Sequence, residues 1–337
     1  MSNTERTPSL IECAHGPEHA PSEILTLFPK DVDLGGGDQA MTVRRTLPQL
    51  HRSFVGAWCF VDHYGPDLVT ATGGMDVAPH PHTGLQTVSW LFEGEIEHRD
   101  SGGVHGLVRP GEVNLMTSGH GIAHSEVSTA KTTFLHGVQL WVVLPEHSKD
   151  LSRDFQHYVP EPIEVPGGTV RVLVGTLAGD SSSVHTETKL LGAEVVLRPG
   201  ASWEVEVESS FEHGVLVDTG VVSLDGVSLD RAQMGVRDAG LGHLRLSNPG
   251  NTTARAMILG GEPFDEGIVM WWNFIGRSHE DIVRFRKEWQ SDHDRFGRVA
   301  GYRGAVQRLE APPLPPLRLK PRYRRGKHIP KPVNGPE

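Results

Sequence analysis

The chain has 337 residues and a formal net charge of −10, which argues against nucleic acid as a direct partner. Its two cysteines, Cys13 and Cys59, are too few for a disulfide framework and favour a reducing compartment. The polar N-terminus lacks a signal-peptide pattern, and no apolar run approaches the ~20 residues that span a bilayer. We therefore expect a cytoplasmic protein with no membrane partner.

The first half of the chain predicts a β-barrel. Residues 1–39 are a polar lead-in that we expect to be loosely structured. From 40 to 150, short runs rich in β-branched and aromatic residues, such as LQTVSWLF at 85–92, are separated by glycine and proline turns. A polar connector with several prolines follows at 151–168, and a second strand-rich block over 169–300 predicts a second barrel.

The two blocks look like weak copies of one another. Each contains a strand, a glycine turn and a second strand, with the turn at Gly94 in the first block and at Gly220 in the second. His80 and His82 lie 14 and 12 residues before Gly94, whereas the same count from Gly220 ends on two glutamates. A duplication of this kind favours two tandem barrels, with the histidine pair only in the first.

One helix is predicted, over residues 278–290, where Ser278 can cap the first turn and Asp281 follows three residues later. Its apolar stripe indicates a helix packed on the outside of a barrel and consists of Ile282, Phe285 and Trp289. Farther on, residues 311–337 contain eight prolines and seven Lys or Arg residues against one acid. We expect residues 311–337, within a Pro/Arg/Lys-rich tail over 301–337, to be extended and disordered. This segment could bind a protein partner, either an acidic one or one that recognises polyproline II, and the alternative is a solvated tail with no partner.

Two pairs of side chains in the first block carry the candidate chemistry. His80 and His82 are two residues apart, as are His124 and Glu126, so each pair shares one face of a strand. If the two strands face one another, three imidazoles and a carboxylate meet as a donor set for a first-row divalent metal. Open positions would remain, as a catalytic metal needs. Iron, manganese, nickel, copper and catalytic zinc fit these donors, and the alternative is a barrel whose histidines bind nothing.

The sequence around these residues resembles a known family. The pattern G-x5-H-x-H from Gly74 to His82, followed by a Pro-Gly turn and another histidine, is similar to that of cupins. The longer stretches HPHTGLQTVSWLFEGEIEHRDSGG, PGEVNLMTSGHGIAHSE and HGVQLWVVLP resemble pirins, as do FVDHYGP and GGEP. The resemblance covers most of the chain, from about residue 40 to about residue 290.

The resemblance implies an all-β fold of two tandem cupin (jelly-roll) β-barrels, with a metal only in the N-terminal one. It also implies iron, as Fe2+, with other divalent transition metals as alternatives. The ligands it implies are the four residues already paired by spacing: His80, His82, His124 and Glu126. Two positions depart from the family patterns, since Gln86 replaces a cupin glutamate and His120 stands where many pirins have arginine. We expect His120 to lie in a turn and not to bind the metal.

Two functions follow from the resemblance. Some pirins have quercetin 2,3-dioxygenase activity, in which a flavonol would bind the metal through its 3-hydroxyl and 4-carbonyl oxygens. Glu126 would then be the catalytic base for the hydroxyl proton, and O2 would open the central ring with loss of carbon monoxide. Other pirins are non-enzymatic, iron- and redox-responsive regulators that bind a transcription factor or a metabolic enzyme. We expect the dioxygenase; a roomy pocket that admits a flavonol would favour it, whereas a closed metal site under a large exposed apolar patch would favour the regulator.

Overall fold

The structure is a computed structural model that describes residues 23–34 and 41–324. The strands up to the middle of the chain are β1 (Ile24–Leu27), β2 (Lys30–Leu34), β3 (Met41–Leu47), β4 (Trp58–Leu68), β5 (Asp76–His82), β6 (Leu85–Glu93), β7 (Ile96–Asp100), β8 (His105–Val108), β9 (Val113–Thr117), β10 (Ile122–Ser128) and β11 (Phe134–Val143). The later strands are β12 (Asp154–Tyr158), β13 (Ile163–Val165), β14 (Gly168–Val174), β15 (Thr176–Leu177), β16 (Asp180–Ser181), β17 (Leu190–Leu197), β18 (Ser202–Glu206), β19 (Glu212–Thr219), β20 (Val222–Leu224), β21 (Val227–Leu229), β22 (Met234–Arg237), β23 (His243–Ser247), β24 (Ala254–Gly261), β25 (Val269–Trp271) and β26 (Phe274–Gly276). The two helices are α1 (Val69–Thr72) and α2 (His279–Gln290).

The strands form two antiparallel barrels in tandem, which confirms the expected all-β fold. The N-terminal barrel joins a seven-stranded sheet, β12-β9-β6-β11-β4-β3-β2, to a four-stranded sheet, β5-β10-β7-β8. The C-terminal barrel repeats this plan with β1-β22-β19-β24-β17-β14-β13 and β18-β23-β20-β21. Two small hairpins, β15-β16 and β25-β26, stand outside these sheets. The correspondence of sheet sizes and strand orders is the structural counterpart of the duplication inferred from the sequence.

The ends of the chain are tied into the barrels more closely than their composition indicates. Within the lead-in, β1 pairs with β22 of the second barrel and β2 pairs with β3 of the first. The tail also differs from the expectation up to residue 324, because Ala311 and Leu319 are buried against the aromatic cluster around α2. Residues 325–337, which the predicted disorder also covers, lie outside the described residues. Proline and charge content did not reveal this order, because it comes from strand pairing with the barrels and from buried apolar side chains.

The helix α2 has the predicted capping and packing. The Ser278 side chain accepts from the Asp281 amide, and the Asp281 side chain accepts from the Ser278 amide, which completes a capping box. Its buried stripe packs against the β25-β26 hairpin and consists of Ile282, Phe285 and Trp289. Among the described residues, no helix is long and apolar enough to cross a membrane.

The two barrels pack through a shared core. The indole of Trp58 on β4 donates to the carbonyls of Leu191 and Gly260, and that of Trp90 on β6 donates to Glu194, all in the second barrel. A buried carboxylate also joins the barrels: Asp218 on β19 accepts from His63 (2.7 Å) and His136 (2.5 Å) of the first barrel. Its other oxygen accepts from Arg255 at 2.6 Å.

We expect Asp218→Asn to destabilise the protein by about 3–5 kcal/mol, because removing one partner of a buried ionic network leaves the others uncompensated. Denaturant unfolding at neutral pH measures this loss. The matched control is Glu262→Gln, which removes an exposed ion pair with Lys189 and should cost at most about 1 kcal/mol. Equal losses in the two variants would show that the Asp218 network does not hold the barrels together.

Buried neutral histidines should make the fold sensitive to acid. Burial, with Arg237 nearby, lowers the pKa of His213 to about 4, below its unfolded value of about 6.5. The unfolded chain therefore binds the proton first, so stability is fully present above pH 6.5 and is lost as pH falls toward 4. Neither ring nitrogen of His213 has a hydrogen-bond partner among the described residues, so phenylalanine can replace it without leaving a donor unpaired.

We expect the stability of His213→Phe to fall less steeply than that of the wild type between pH 6.5 and 4, by up to about 1.4 kcal/mol per pH unit. Urea unfolding at a series of pH values measures the two slopes. Parallel curves would mean that His213 does not take up a proton on unfolding.

Candidate metal centre

The first histidine pair lies on an edge strand whose sequence suits that position. In β5, Pro79 and Pro81 alternate with His80 and His82. Proline has no N–H to donate, which an edge strand tolerates because only one of its sides is paired within the sheet. Side chains alternate along a strand, so both histidines point toward the inside of the barrel. The strand β10 pairs with β5 and places His124 directly opposite His80.

The three histidines converge. One ring nitrogen from each of His80, His82 and His124 lies within 4.8 Å of the other two, and all three side chains are buried. The Nδ1 of His80 is 2.8 Å from the Ala78 carbonyl, and the Nδ1 of His82 is 3.1 Å from the Asn273 carbonyl. Because a carbonyl can only accept, these Nδ1 atoms carry the protons, which puts the lone pair of each neutral ring on Nε2, the nitrogen that would bind a metal.

The electrostatics of the cluster also fit a metal. Burial lowers the pKa of His82 to about 3 and lowers those of His80 and His124 well below the ordinary value. The rings are therefore neutral near pH 7, as metal ligands must be. The Nε2 atoms of His82 and His124 are 3.1 Å apart. Two adjacent ligands about 2.1 Å from one metal ion would be separated by a similar distance, so this donor set fits a transition metal.

Glu126 lies beside the three-histidine cluster and outside the group of nitrogens that meet. It is buried on β10, two residues from His124, and faces the same interior. The negative charge of Glu126 favours the protonated form of His80 and so raises its pKa. Burial has the larger effect, and the pKa of His80 is well below the ordinary value. The β5-β10 register shifts between His124 and Glu126, so that Glu126 lies opposite Val77. This β-bulge therefore places the Glu126 carboxylate beside the three imidazoles and not among them.

A second group, His63, His136 and Asp218, also has ligand atoms within 4.8 Å of one another. Its hydrogen bonds argue against a metal there. Arg44 donates to the Nδ1 of His63 at 3.1 Å, so the Nε2 of His63 carries a proton that it donates to Asp218. With the Arg255 guanidinium also bound to Asp218, the group is a hydrogen-bonded junction between the barrels in which the carboxylate already has a cationic partner.

The two departures from the family patterns lie away from the cluster. Gln86 lies on the same face of β6 as Val88 and Trp90, and this face is directed toward the second barrel. The Gln86 side-chain amide donates to the Thr117 hydroxyl. His120 lies in a turn, as expected, and its Nδ1 is 3.1 Å from the Leu151 carbonyl. Neither side chain joins the three histidines.

Two residues near the cluster were not identified from spacing. The ring of Trp141 lies against His82, with centroids 5.2 Å apart, so this core residue also lines the candidate site. His98 is buried on β7, and its ring centroid is 5.2 Å from that of His124. Its Nδ1 is 3.4 Å from the Nδ1 of His124, and its Nε2 is 3.1 Å from Asp100. The only sequence signal was the H-x-D spacing in β7, which predicts that His98 and Asp100 share a face.

The second barrel has no such cluster among its described residues, because its equivalent strands carry apolar side chains. By sheet order, β18 and β23 correspond to β5 and β10. The inward positions of β18 are Trp203 and Val205, and they pair with Leu246 and Leu244 on β23. Counting back from the glycine turn had matched the histidines to Glu206 and Glu208. The loop between β18 and β19 is three residues longer than the loop between β5 and β6. The count back from Gly220 therefore ends three residues after the true equivalents of His80 and His82, which are Trp203 and Val205.

Tandem antiparallel barrels with three inward imidazoles in one of them define a bicupin with a histidine centre in its N-terminal barrel. Family models agree with this description: the model of pirin matches residues 40–142, and that of the pirin C-terminal cupin domain matches residues 192–297. The chain belongs to the pirin family.

Individual relatives extend the similarity over nearly the whole chain. A Pseudomonas aeruginosa protein named "Putative quercetin 2,3-dioxygenase" is 38% identical over 317 residues, which cover 94% of this chain and 98% of the relative. A pirin-like protein of Caulobacter vibrioides is 35% identical and covers 74% of this chain and 88% of its own. The crystal structure of quercetin 2,3-dioxygenase from Acinetobacter baumannii is 38% identical, with a TM-score of 0.82, and the match covers 88% of this chain and 97% of that one.

We expect His124→Ala to weaken binding of Ni2+ or Fe2+ at least 100-fold, because one of three convergent imidazoles is lost. Isothermal titration of the metal-free protein, under anaerobic conditions for Fe2+, measures the affinity. The control His120→Ala should bind like the wild type. If both variants bind equally, the metal site lies elsewhere.

Proposed function

We propose that the protein is an iron-dependent dioxygenase that opens the central ring of quercetin-type flavonols with O2. The observation that carries this proposal is the convergence of one ring nitrogen from each of three imidazoles inside a barrel, with the carboxylate of Glu126 beside them. The names of the Pseudomonas aeruginosa and Acinetobacter baumannii relatives support the choice of reaction. The aromatic, oxygen-rich substrate class follows from those names.

In this proposal His80, His82, His124 and Glu126 hold Fe2+. The iron would supply a site for the oxygens of substrate and O2, and would stabilise the negative charge of a deprotonated flavonol. The protein holds the imidazoles ready for this role, because each of the Nδ1 protons of His80 and His82 is bound to a main-chain carbonyl. Little reorganisation would then be needed when the metal binds.

Glu126 is the proposed catalytic base. One of its carboxylate oxygens would accept the 3-hydroxyl proton of the flavonol and keep it away from bulk water, because the side chain is 1% exposed. The phenol of Tyr64 is buried in the same barrel, and burial, with Glu126 nearby, raises its pKa well above the ordinary value. Tyr64 therefore stays protonated, as a hydrogen-bond donor and not as a competing base.

The barrel interior also offers neutral donors for the substrate's oxygens. On β11, Gln139 and Trp141 point toward the same side as the histidines, and Ser89 donates to the Gln139 side-chain oxygen at 2.9 Å. The Gln139 amide nitrogen and the Trp141 indole nitrogen have no partner among the described residues. Buried donors without partners are costly, and the oxygens of a flavonol would satisfy them.

A second candidate function is favoured by the burial of the site. The side chains of His80 and His82 are 0% exposed, and those of His124 and Glu126 are 1% exposed. A flavonol could reach the metal only if the segments over the barrel moved aside. A closed centre instead suits a regulator in which the redox state of the iron alters the surface that a partner protein binds.

Oxygen uptake separates the two candidates. We expect the iron-loaded wild type to consume O2 and release carbon monoxide when quercetin is added. His80→Ala should lose iron and activity together. Glu126→Ala should lower the rate at least 100-fold at saturating substrate, because the base is lost. An oxygen electrode and gas analysis measure the rates, and metal analysis of each variant gives its iron content.

The control His120→Ala should retain both iron and uptake. Full iron loading without uptake across a panel of flavonols would contradict the dioxygenase and leave the regulator as the better proposal. Full activity in Glu126→Ala would contradict its role as base.

A further inference from the structure

We propose that His98 and Asp100 form a positioning pair that fixes the proton of His124 on Nδ1, so that its Nε2 is presented to the metal. This inference rests on the proposed metal site and adds two residues that spacing did not identify. Neither residue is a metal ligand in this proposal. The pair acts through His124, and its effect is on metal affinity and on the tautomer of one imidazole.

The geometry is a chain of three side chains that crosses two strands. The β10-β7 pairing sets His124 opposite Asp100, with His98 two residues earlier on β7, opposite Glu126, and facing the same interior. The Asp100 Oδ2 lies 3.1 Å from the Nε2 of His98. The Nδ1 of His98 lies 3.4 Å from the Nδ1 of His124. All three side chains are buried, with exposures of 1–4%.

The direction of each hydrogen bond follows from chemistry. An ionised carboxylate can only accept, so the Nε2 of His98 donates to Asp100. A neutral His98 then has a lone pair on Nδ1, and in this proposal the facing Nδ1 of His124 donates to it, in place of a donation from His124 Nε2 to His82. The remaining nitrogen of His124, Nε2, is left as a lone pair. It faces the Nε2 of His82 at 3.1 Å, where the other two imidazoles converge.

Asp100 is itself held in place. Its Oδ1 accepts from the amides of Gly102 and Val104, at 2.8 and 3.1 Å, in the turn that follows β7. The Oδ1 atom of Asp100 therefore stabilises the turn, and its Oδ2 atom is left to accept from His98. The His98 ring also packs against Phe155, with centroids 4.9 Å apart. A carboxylate fixed in this way orients the imidazole, and through it the ligand.

His124 differs from the other two histidines in how its tautomer is set. His80 and His82 use main-chain carbonyls, of Ala78 and Asn273, which no side-chain substitution removes. His124 depends on two side chains, so its tautomer can be changed by mutation. Without the pair, the ring could carry its proton on Nε2 and close that nitrogen to the metal.

Asp100→Asn is the decisive variant. An asparagine oxygen can still accept from Gly102 and Val104, so the turn is preserved. Its NH2 group would face the Nε2 of His98 and cannot accept a proton from it, which reverses the tautomers of His98 and then of His124. We expect affinity for Ni2+ or Fe2+ to fall about 10–100-fold. The unfolding midpoint of the metal-free protein should change little.

A matched pair at His98 tests the relay itself. His98→Asn places an acceptor oxygen near the position of Nδ1 and should retain affinity within about threefold, well inside the usual cost of losing such a contact. His98→Phe keeps a ring but removes the acceptor, and it should bind about 10–100-fold more weakly. Equal affinities for these two variants would overturn the proposal. So would wild-type affinity in Asp100→Asn.

The tautomer can be read without any metal. In metal-free protein labelled with 15N-histidine, the wild-type spectrum should show His124 protonated at Nδ1, and Asp100→Asn should move that proton to Nε2. A wild-type His124 protonated at Nε2 would overturn the proposal. If the wild type binds neither Ni2+ nor Fe2+, the proposed metal site fails, whereas the 15N spectra still decide whether the pair sets the tautomer.

Discussion

The candidate centre depends on one pairing, that of the edge strand β5 with β10. This register sets His80 opposite His124 and brings His82 to within 3.1 Å of the same ring. Because β5 has a sheet partner on only one side, its prolines leave no amide unpaired there. Its other side is covered by the C-terminal part of the chain, where the Leu309 amide donates to the Pro79 carbonyl at 2.8 Å. The hairpin β25-β26 continues this cover and supplies the carbonyl that orients His82. Chain segments nearly 200 residues apart thus hold a single strand in place.

The two barrels share a topology and differ in what fills them. Apolar side chains such as Trp203 and Leu246 occupy in one barrel the positions that imidazoles occupy in the other. Burying three neutral imidazoles costs desolvation energy unless their nitrogens are bound, so a barrel with such a centre needs support. The second half of the chain provides such a contact for His82, through the Asn273 carbonyl of the hairpin β25-β26.

Period-two spacing was enough to predict much of the site, because side chains two apart on a strand must share a face. One ring nitrogen from each of His80, His82 and His124 lies close to the other two, while coordination of a metal by these residues and by Glu126 stays a prediction. What spacing could not predict depends on contacts between distant segments. His98 faces His124 from a neighbouring strand, β1 pairs across to the second barrel, and residues after 310 pack beside α2. The count back from Gly220 failed for a local reason, since a longer loop shifts it by three residues.

The three imidazoles obtain the same tautomer from three different sources. A carbonyl within β5 fixes His80, the hairpin β25-β26 fixes His82, and the side chains of His98 and Asp100 face His124. A metal ion at this centre would therefore be sensitive to the packing of the hairpin and to the β10-β7 pairing as well as to its ligands. The same linkage works in reverse, because a metal that binds only the folded arrangement stabilises those contacts by mass action. Metal binding and the packing of the C-terminal segments against β5 would then be coupled, whether the centre is used for oxygen chemistry or for regulation.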